Sequence, residues 1–131
     1  MAELNVKIVT PQRAVFSGIA KELSAPGWDG EFDILPGHAS YLSLLHGGVL
    51  QIVTDKGTQR FVIGRGFAEA GPGLVTILTD RCVAEGDVDK EAASQELAEL
   101  EGELGRTSAY DEALMGQLEE KLEIVRGILS L

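Results

Sequence analysis

An all-β sandwich or flattened barrel followed by a two-helix hairpin is the fold class that three features of the sequence predict. The first is apolar alternation at every second residue through the first 86 positions. The second is the density of Gly, Pro and Asp cutting that stretch into short pieces. The third is a change of period after Gly86, where apolar residues recur at three and four. The chain is thereby divided into a sandwich over residues 1–86 and a C-terminal antiparallel helical hairpin over 87–131.

Leu4, Val6 and Ile8 alternate with Asn5 and Lys7 and open the strand series. Further strands are predicted at 13–17, 19–24, 41–45, 49–54, 58–64, 67–70, 74–79 and 81–85. Turns such as Asp55-Lys56-Gly57 and Gly71-Pro72-Gly73 separate them. No helix-length amphipathic segment lies between strands, which disfavours βαβ units and a parallel sheet.

Beyond Gly86, Asp87 and Asp89 are N-cap candidates, and Ala93, Leu97, Leu100 and Leu104 form one apolar stripe. Gly105-Arg106-Thr107-Ser108 reads as the connector. A second helix is expected to start near Ser108, with Asp111 completing a capping box and Leu114, Leu118, Leu122, Val125 and Leu129 as its stripe. So short a connector makes the helices antiparallel, with Leu97, Leu100, Leu104, Leu114, Leu118, Leu122 and Val125 packed between them. Gly102, Gly116 and Gly127 fall inside these helices, each at about 1 kcal/mol relative to Ala.

Charge is unevenly placed. Residues 1–86 carry 9 Asp/Glu against 7 Lys/Arg, and residues 87–131 carry 12 against 4, so most of the net −10 belongs to the tail. No basic stripe exists to displace counterions, which argues against nucleic-acid binding. The single cysteine, Cys82, has no internal disulfide partner, and the N-terminus lacks a basic start with a long apolar run; both suggest a cytosol-side location. The longest stretch free of Asp, Glu, Lys and Arg, residues 34–54, is 21 residues long. Pro36, Gly37, His38, Gly47 and Gly48 interrupt it and make a membrane span too costly.

The search for catalytic chemistry gives nothing. Gly64-Arg65-Gly66-Phe67-Ala68-Glu69 starts like a dinucleotide fingerprint but lacks its third glycine and sits between strands. Cys82 in an alternating strand reads as core packing, and His38 and His46 have no metal-ligand spacing. The carboxylates of the tail read as solubilising charge on the solvent face of the helices. No cofactor or metal is expected. The unusual segment is Gly30-Glu31-Phe32-Asp33-Ile34-Leu35-Pro36-Gly37-His38-Ala39, a Gly- and Pro-shaped corner with Glu31 and His38 in or beside it.

Three blocks together resemble the epsilon subunit of F-type ATP synthases, the counterpart of mitochondrial delta. They are Val15-Phe16-Ser17-Gly18, Gly30-Glu31 with Ile34-Leu35-Pro36-Gly37-His38-Ala39, and Gly64 to Glu69 followed by Val75-Thr76-Ile77-Leu78-Thr79-Asp80. The resemblance covers the sandwich closely and the tail only in layout. It implies a ten-stranded flattened sandwich and two helices, in a non-catalytic rotor subunit at the foot of the central stalk. The implied partners are the gamma subunit and the c-ring, with Glu31, Pro36, Gly37 and His38 as ring-contact candidates. The hairpin's implied further contact is with the catalytic beta subunits. The implied location is peripheral, on the cytoplasmic face of a bacterial plasma membrane, where the subunit helps couple ion-driven rotation to ATP synthesis.

Departures from the family pattern refine these expectations. Asp33 stands where a second glycine is common and Ser40 where a proline is; Asp tolerates left-handed backbone well enough to keep the corner. Some relatives bind ATP through an Ile/Leu-Asp-x-x-Arg-Ala motif, aligned here with Val88-Asp89-Lys90-Glu91-Ala92-Ala93, so Ala92 replaces the arginine. No ATP binding is therefore expected. The acidic tail and its glycines argue for a hairpin that stays folded and inhibits hydrolysis weakly or not at all. Readings from other classes are a generic β-sandwich ligand-binding module, which leaves the helical tail unexplained, and an enzyme with a cryptic site.

Overall fold

The computed structural model describes residues 3–38 and 40–131. The strands are β1 (Leu4–Val9), β2 (Ala14–Ala20), β3 (Glu22–Gly27), β4 (Gly30–Ile34), β5 (Tyr41–Leu45), β6 (Gly48–Thr54), β7 (Gly57–Ile63), β8 (Gly66–Gly71), β9 (Leu74–Thr79) and β10 (Cys82–Ala84). A short 3-10 turn (Glu85–Asp87) leads into α1 (Lys90–Arg106) and α2 (Glu112–Ser130).

The ten strands form one sheet in the order β10-β7-β6-β3-β5-β8-β9-β1-β2, with β4 on the free side of β3. Every pairing is antiparallel except β1 with β9, which runs parallel from Asn5↔Leu74 to Val9↔Leu78. The fold-over occurs at β3, which pairs with β6 through Glu22–Ser24 and reaches β5 only at Gly27↔Leu45. The alternation explains the closed interior: Leu4, Val6 and Ile8 point inward and are fully buried, as are Leu50, Ile52, Ile63, Val75 and Ile77.

The structure corrects two strand expectations. Residues 30–34, read as part of a turn, form β4, and the break expected at Gly18 falls at Lys21 instead. Gly18 sits within β2 opposite Val6, where a built Cβ would lie 3.2 Å from the Phe16 ring. The left-handed positions among the described residues are all glycines, Gly30 and Gly37 included. Asp33 is therefore not the left-handed residue it was expected to be. It is extended in β4 opposite Ser24, whose hydroxyl donates to its carboxylate.

The connector between the helices also shifts. Gly105 and Arg106 belong to α1, and Asp111 is the N-cap of α2, its carboxylate accepting from the Leu114 amide at 3.2 Å. Ser108 caps the turn instead, accepting from the Tyr110 amide. Asp89 caps α1 by accepting from the Ala92 amide. The α1–α2 interface contains Ala93, Leu100, Leu118, Leu122 and Val125, with Leu97, Leu104, Leu114, Ile128 and Leu129 partly buried around them.

Candidate interaction surfaces

β5, β8, β9, β1 and β2 turn their outer face to solvent. Cross-strand register aligns Leu44, Phe67, Leu78 and Val9 in one row across four strands. A second row places Leu74 and Ile19 on either side of Asn5. Leu42 is 67% exposed, Leu44 53% and Phe67 43%, so this is a broad apolar surface without a cover among the described elements. Gly66 explains how Phe67 is held there: a Cβ at Gly66 would lie 1.9 Å from the Leu78 carbonyl oxygen, so β8 can approach β9 only without a side chain.

The four ring-contact candidates fall on two elements. Glu31 is an exposed residue of β4, paired in register with Pro26. Pro36 and Gly37 make the turn that follows, with Gly37 at φ 84°. His38 comes next, half-buried, its ring edge-to-face with Tyr41 at 6.1 Å between centroids. Ala39, quoted above in the same block, lies outside the described residues.

A third cluster joins the hairpin to the sandwich through α2, which packs on β6 and β7. The Arg65 guanidinium forks onto Glu123, at 3.1 Å from Nε and 2.7 Å from Nη2, and reaches Glu120 at 3.4 Å. Glu123 also accepts the Gly47 amide at 2.8 Å, and His46 Nδ1 lies 3.7 Å from it. Trp28 stacks on His46 at 4.8 Å, and Arg65 lies over the Trp28 ring at 5.3 Å. Burial pushes the Glu123 carboxyl up, but the hydrogen bonds from Arg65 and the Gly47 amide outweigh it and hold the group below the usual carboxylate range.

This cluster corrects the reading of the tail carboxylates as solvating charge, because Glu123 faces inward. α2 has a second face, Glu120, Glu123, Ile124 and Gly127, which sequence reasoning missed. Its spacing of three and four was present, but two glutamates and a glycine gave it no apolar signature.

Cys82 is partly buried against the core, and burial pushes its thiol up to about 11, which leaves it unreactive. Among the described residues no group of His, Cys, Asp and Glu could hold a metal ion. None of their helices is long and apolar enough to cross a membrane.

Residues 3–85 match the family model described as "ATP synthase, Delta/Epsilon chain, beta-sandwich domain". The chain belongs to the ATP synthase epsilon family. It is 39% identical over 94 residues to the ATP synthase epsilon chain of Bordetella avium, covering 71% of this chain and 67% of that one. With the epsilon chain of Gluconacetobacter diazotrophicus it shares 33% over 127 residues, covering 96% and 90%. In three dimensions it superposes on a chain of the Euglena gracilis mitochondrial ATP synthase (OSCP/F1/c-ring) with a TM-score of 0.84, covering 99% of this chain and 81% of that one. Identity there is 24%, so this likeness speaks to the fold. As an epsilon-family chain it is a non-catalytic subunit of a larger enzyme.

Proposed function

We propose that this chain is the central-stalk subunit that links gamma to the c-ring and lets ion-driven rotation drive ATP synthesis without slip. The observation that carries the reading is the uncovered apolar face bearing Leu44, Phe67 and Leu78. A monomer gains nothing from exposing it, whereas a gamma subunit would bury it. Glu31, Pro36, Gly37 and His38 then contact the polar loops of the ring, and the subunit stays peripheral on the cytoplasmic side of the membrane. Exposed polar pairs are worth about 0–1 kcal/mol each, so the grip resides in the apolar face and the ring contacts set its position.

The hairpin stays folded in this proposal. Arg65, Gly47 and Ile124 hold α2, and α1 rides on α2, so the acidic tail inhibits hydrolysis weakly or not at all. ATP is not a ligand of residues 88–93, where Ala92 offers its backbone amide to Asp89 and no side-chain cation stands in the arginine position.

Co-expression with gamma tests the reading. A one-to-one complex is expected with the natural chain, and Phe67→Asp should abolish it while leaving far-UV circular dichroism unchanged. Retention of gamma by Phe67→Asp overturns the assignment of this face. In the assembled enzyme, Glu31→Cys and His38→Cys should crosslink to cysteines in the c-subunit loop; crosslinking to the catalytic subunits instead would reverse the orientation.

A further inference from the structure

β4 and β5 flank a groove of about 750 Å³ on the open side of the sandwich. β4 is paired only with β3, and β5, paired with β8, meets β3 at a single position, Gly27↔Leu45. The outer edge of β4 therefore has no ladder partner among the described elements, whereas that of β5 is open only ahead of Leu44, whose carbonyl already accepts the Trp28 amide; unpaired edges of this kind are templates for another extended chain.

The lining says which chain. Asp29, Glu31 and Asp33 stand along the β4 side, and no Lys, Arg or His is among the residues that line the groove. Asp33 accepts the Ser24 hydroxyl, which leaves Asp29 and Glu31 to meet a cation. Leu42 and Leu44 supply exposed apolar surface within the same groove, while Trp28 at its end is half-exposed and already bears Arg65 and His46. Leu42 and Leu44 also belong to the outer apolar face, so the groove continues that face around the sandwich edge.

We propose that this groove captures an extended polypeptide segment with cationic and apolar side chains in alternation, which adds as a strand and meets Asp29 and Glu31. Alternation matters because successive side chains of a strand point to opposite faces, so one set reaches the carboxylates while the other covers Leu42 and Leu44. The groove shares Glu31 with the ring contact and Leu44 with the gamma face proposed above, so the proposal rests on that reading and names the kind of segment such a partner would present there.

The probe is a synthetic Arg/Val-alternating hexapeptide, added to the full chain. Trp28, the sole tryptophan, reports the groove by fluorescence, and amide hydrogen exchange reports strand pairing. The expected result is a shift of Trp28 emission with protection of amides in residues 30–33 or 41–44. Methylating alternate peptide amides should abolish both signals, and Asp29→Asn with Glu31→Gln should weaken binding about fivefold. Phe67→Asp should leave peptide binding intact, so that loss of the gamma contact and loss of the groove are read separately. Binding unaffected by amide methylation, protection confined to the acidic helices, or no binding at millimolar peptide would each overturn the proposal.

Discussion

Glu123 ties α2 to the sandwich through Arg65 and the Gly47 amide. It takes two guanidinium hydrogen bonds and one backbone amide with little solvent access, and such charge-assisted bonds are worth about 1.5–3 kcal/mol. Glu123→Gln should therefore lower stability by about 1–2 kcal/mol in urea unfolding at neutral pH. Arg65→Lys should cost about 1 kcal/mol, because an ammonium cannot fork onto the carboxylate as a guanidinium does. The folded-state pKa of Glu123 is depressed, so its stabilisation is complete above the ordinary Glu value of about 4.3 and fades as pH falls through the lower, folded value. The stability difference between the natural chain and Glu123→Gln should thus be flat from neutrality to about pH 5 and shrink in acid. A difference that widened on acidification would contradict the assigned geometry. None of this was legible in the sequence: Arg65 and Glu123 lie 58 residues apart, and nothing in the local pattern around either names the other.

At the scale of elements, the glycines of α2 separate into two kinds. A Cβ at Gly116 would meet nothing within 4 Å, so Gly116→Ala should stabilise the chain by about 1 kcal/mol. At Gly127 a Cβ would sit 3.1 Å from Val62 Cγ1 and 3.3 Å from the Gly48 Cα, so the helix crosses β6 and β7 at backbone distance. Gly127→Ala should gain nothing in thermal unfolding, and a gain equal to that of Gly116→Ala would show the crossing to be loose. Treating both as equal helix penalties was the natural reading of a sequence, since propensity is local and close approach is not. The strands divide the same way. β9 was legible to the residue because Leu74 to Thr79 alternates between two clean turns, whereas β4 was hidden by Gly30, Asp33 and Pro36, turn-forming residues that pairing with β3 overrides.

Across the whole molecule, the two outer faces of the sandwich have different fates. α2 closes one over Val62, and the other is left apolar and open. Truncation after Gly86 in the assembled ATP synthase should therefore leave hydrolysis nearly unchanged and coupling intact, since the proposed grip on gamma lies on the opposite face. A several-fold rise in hydrolysis would show that the acidic hairpin restrains the enzyme after all. Fold class was readable at this scale from alternation and the change of period at Gly86, and the open face was not. Leu42, Leu44, Phe67 and Leu78 look like core residues until register puts them on the outside.

The parallel pairing of β1 with β9 has a consequence for the time course of synthesis. β1 is synthesised 69 residues ahead of its register partners at Leu74–Leu78, a lead of roughly 3–14 s at about 5–20 residues per second. Until then β1 can pair only with β2, and contacts of such long sequence separation set a slow closing step. The helical hairpin follows β9 in the chain and its α1–α2 contacts are local, but its anchorage through Arg65 and Gly47 to Glu123 waits for the sandwich to present those groups.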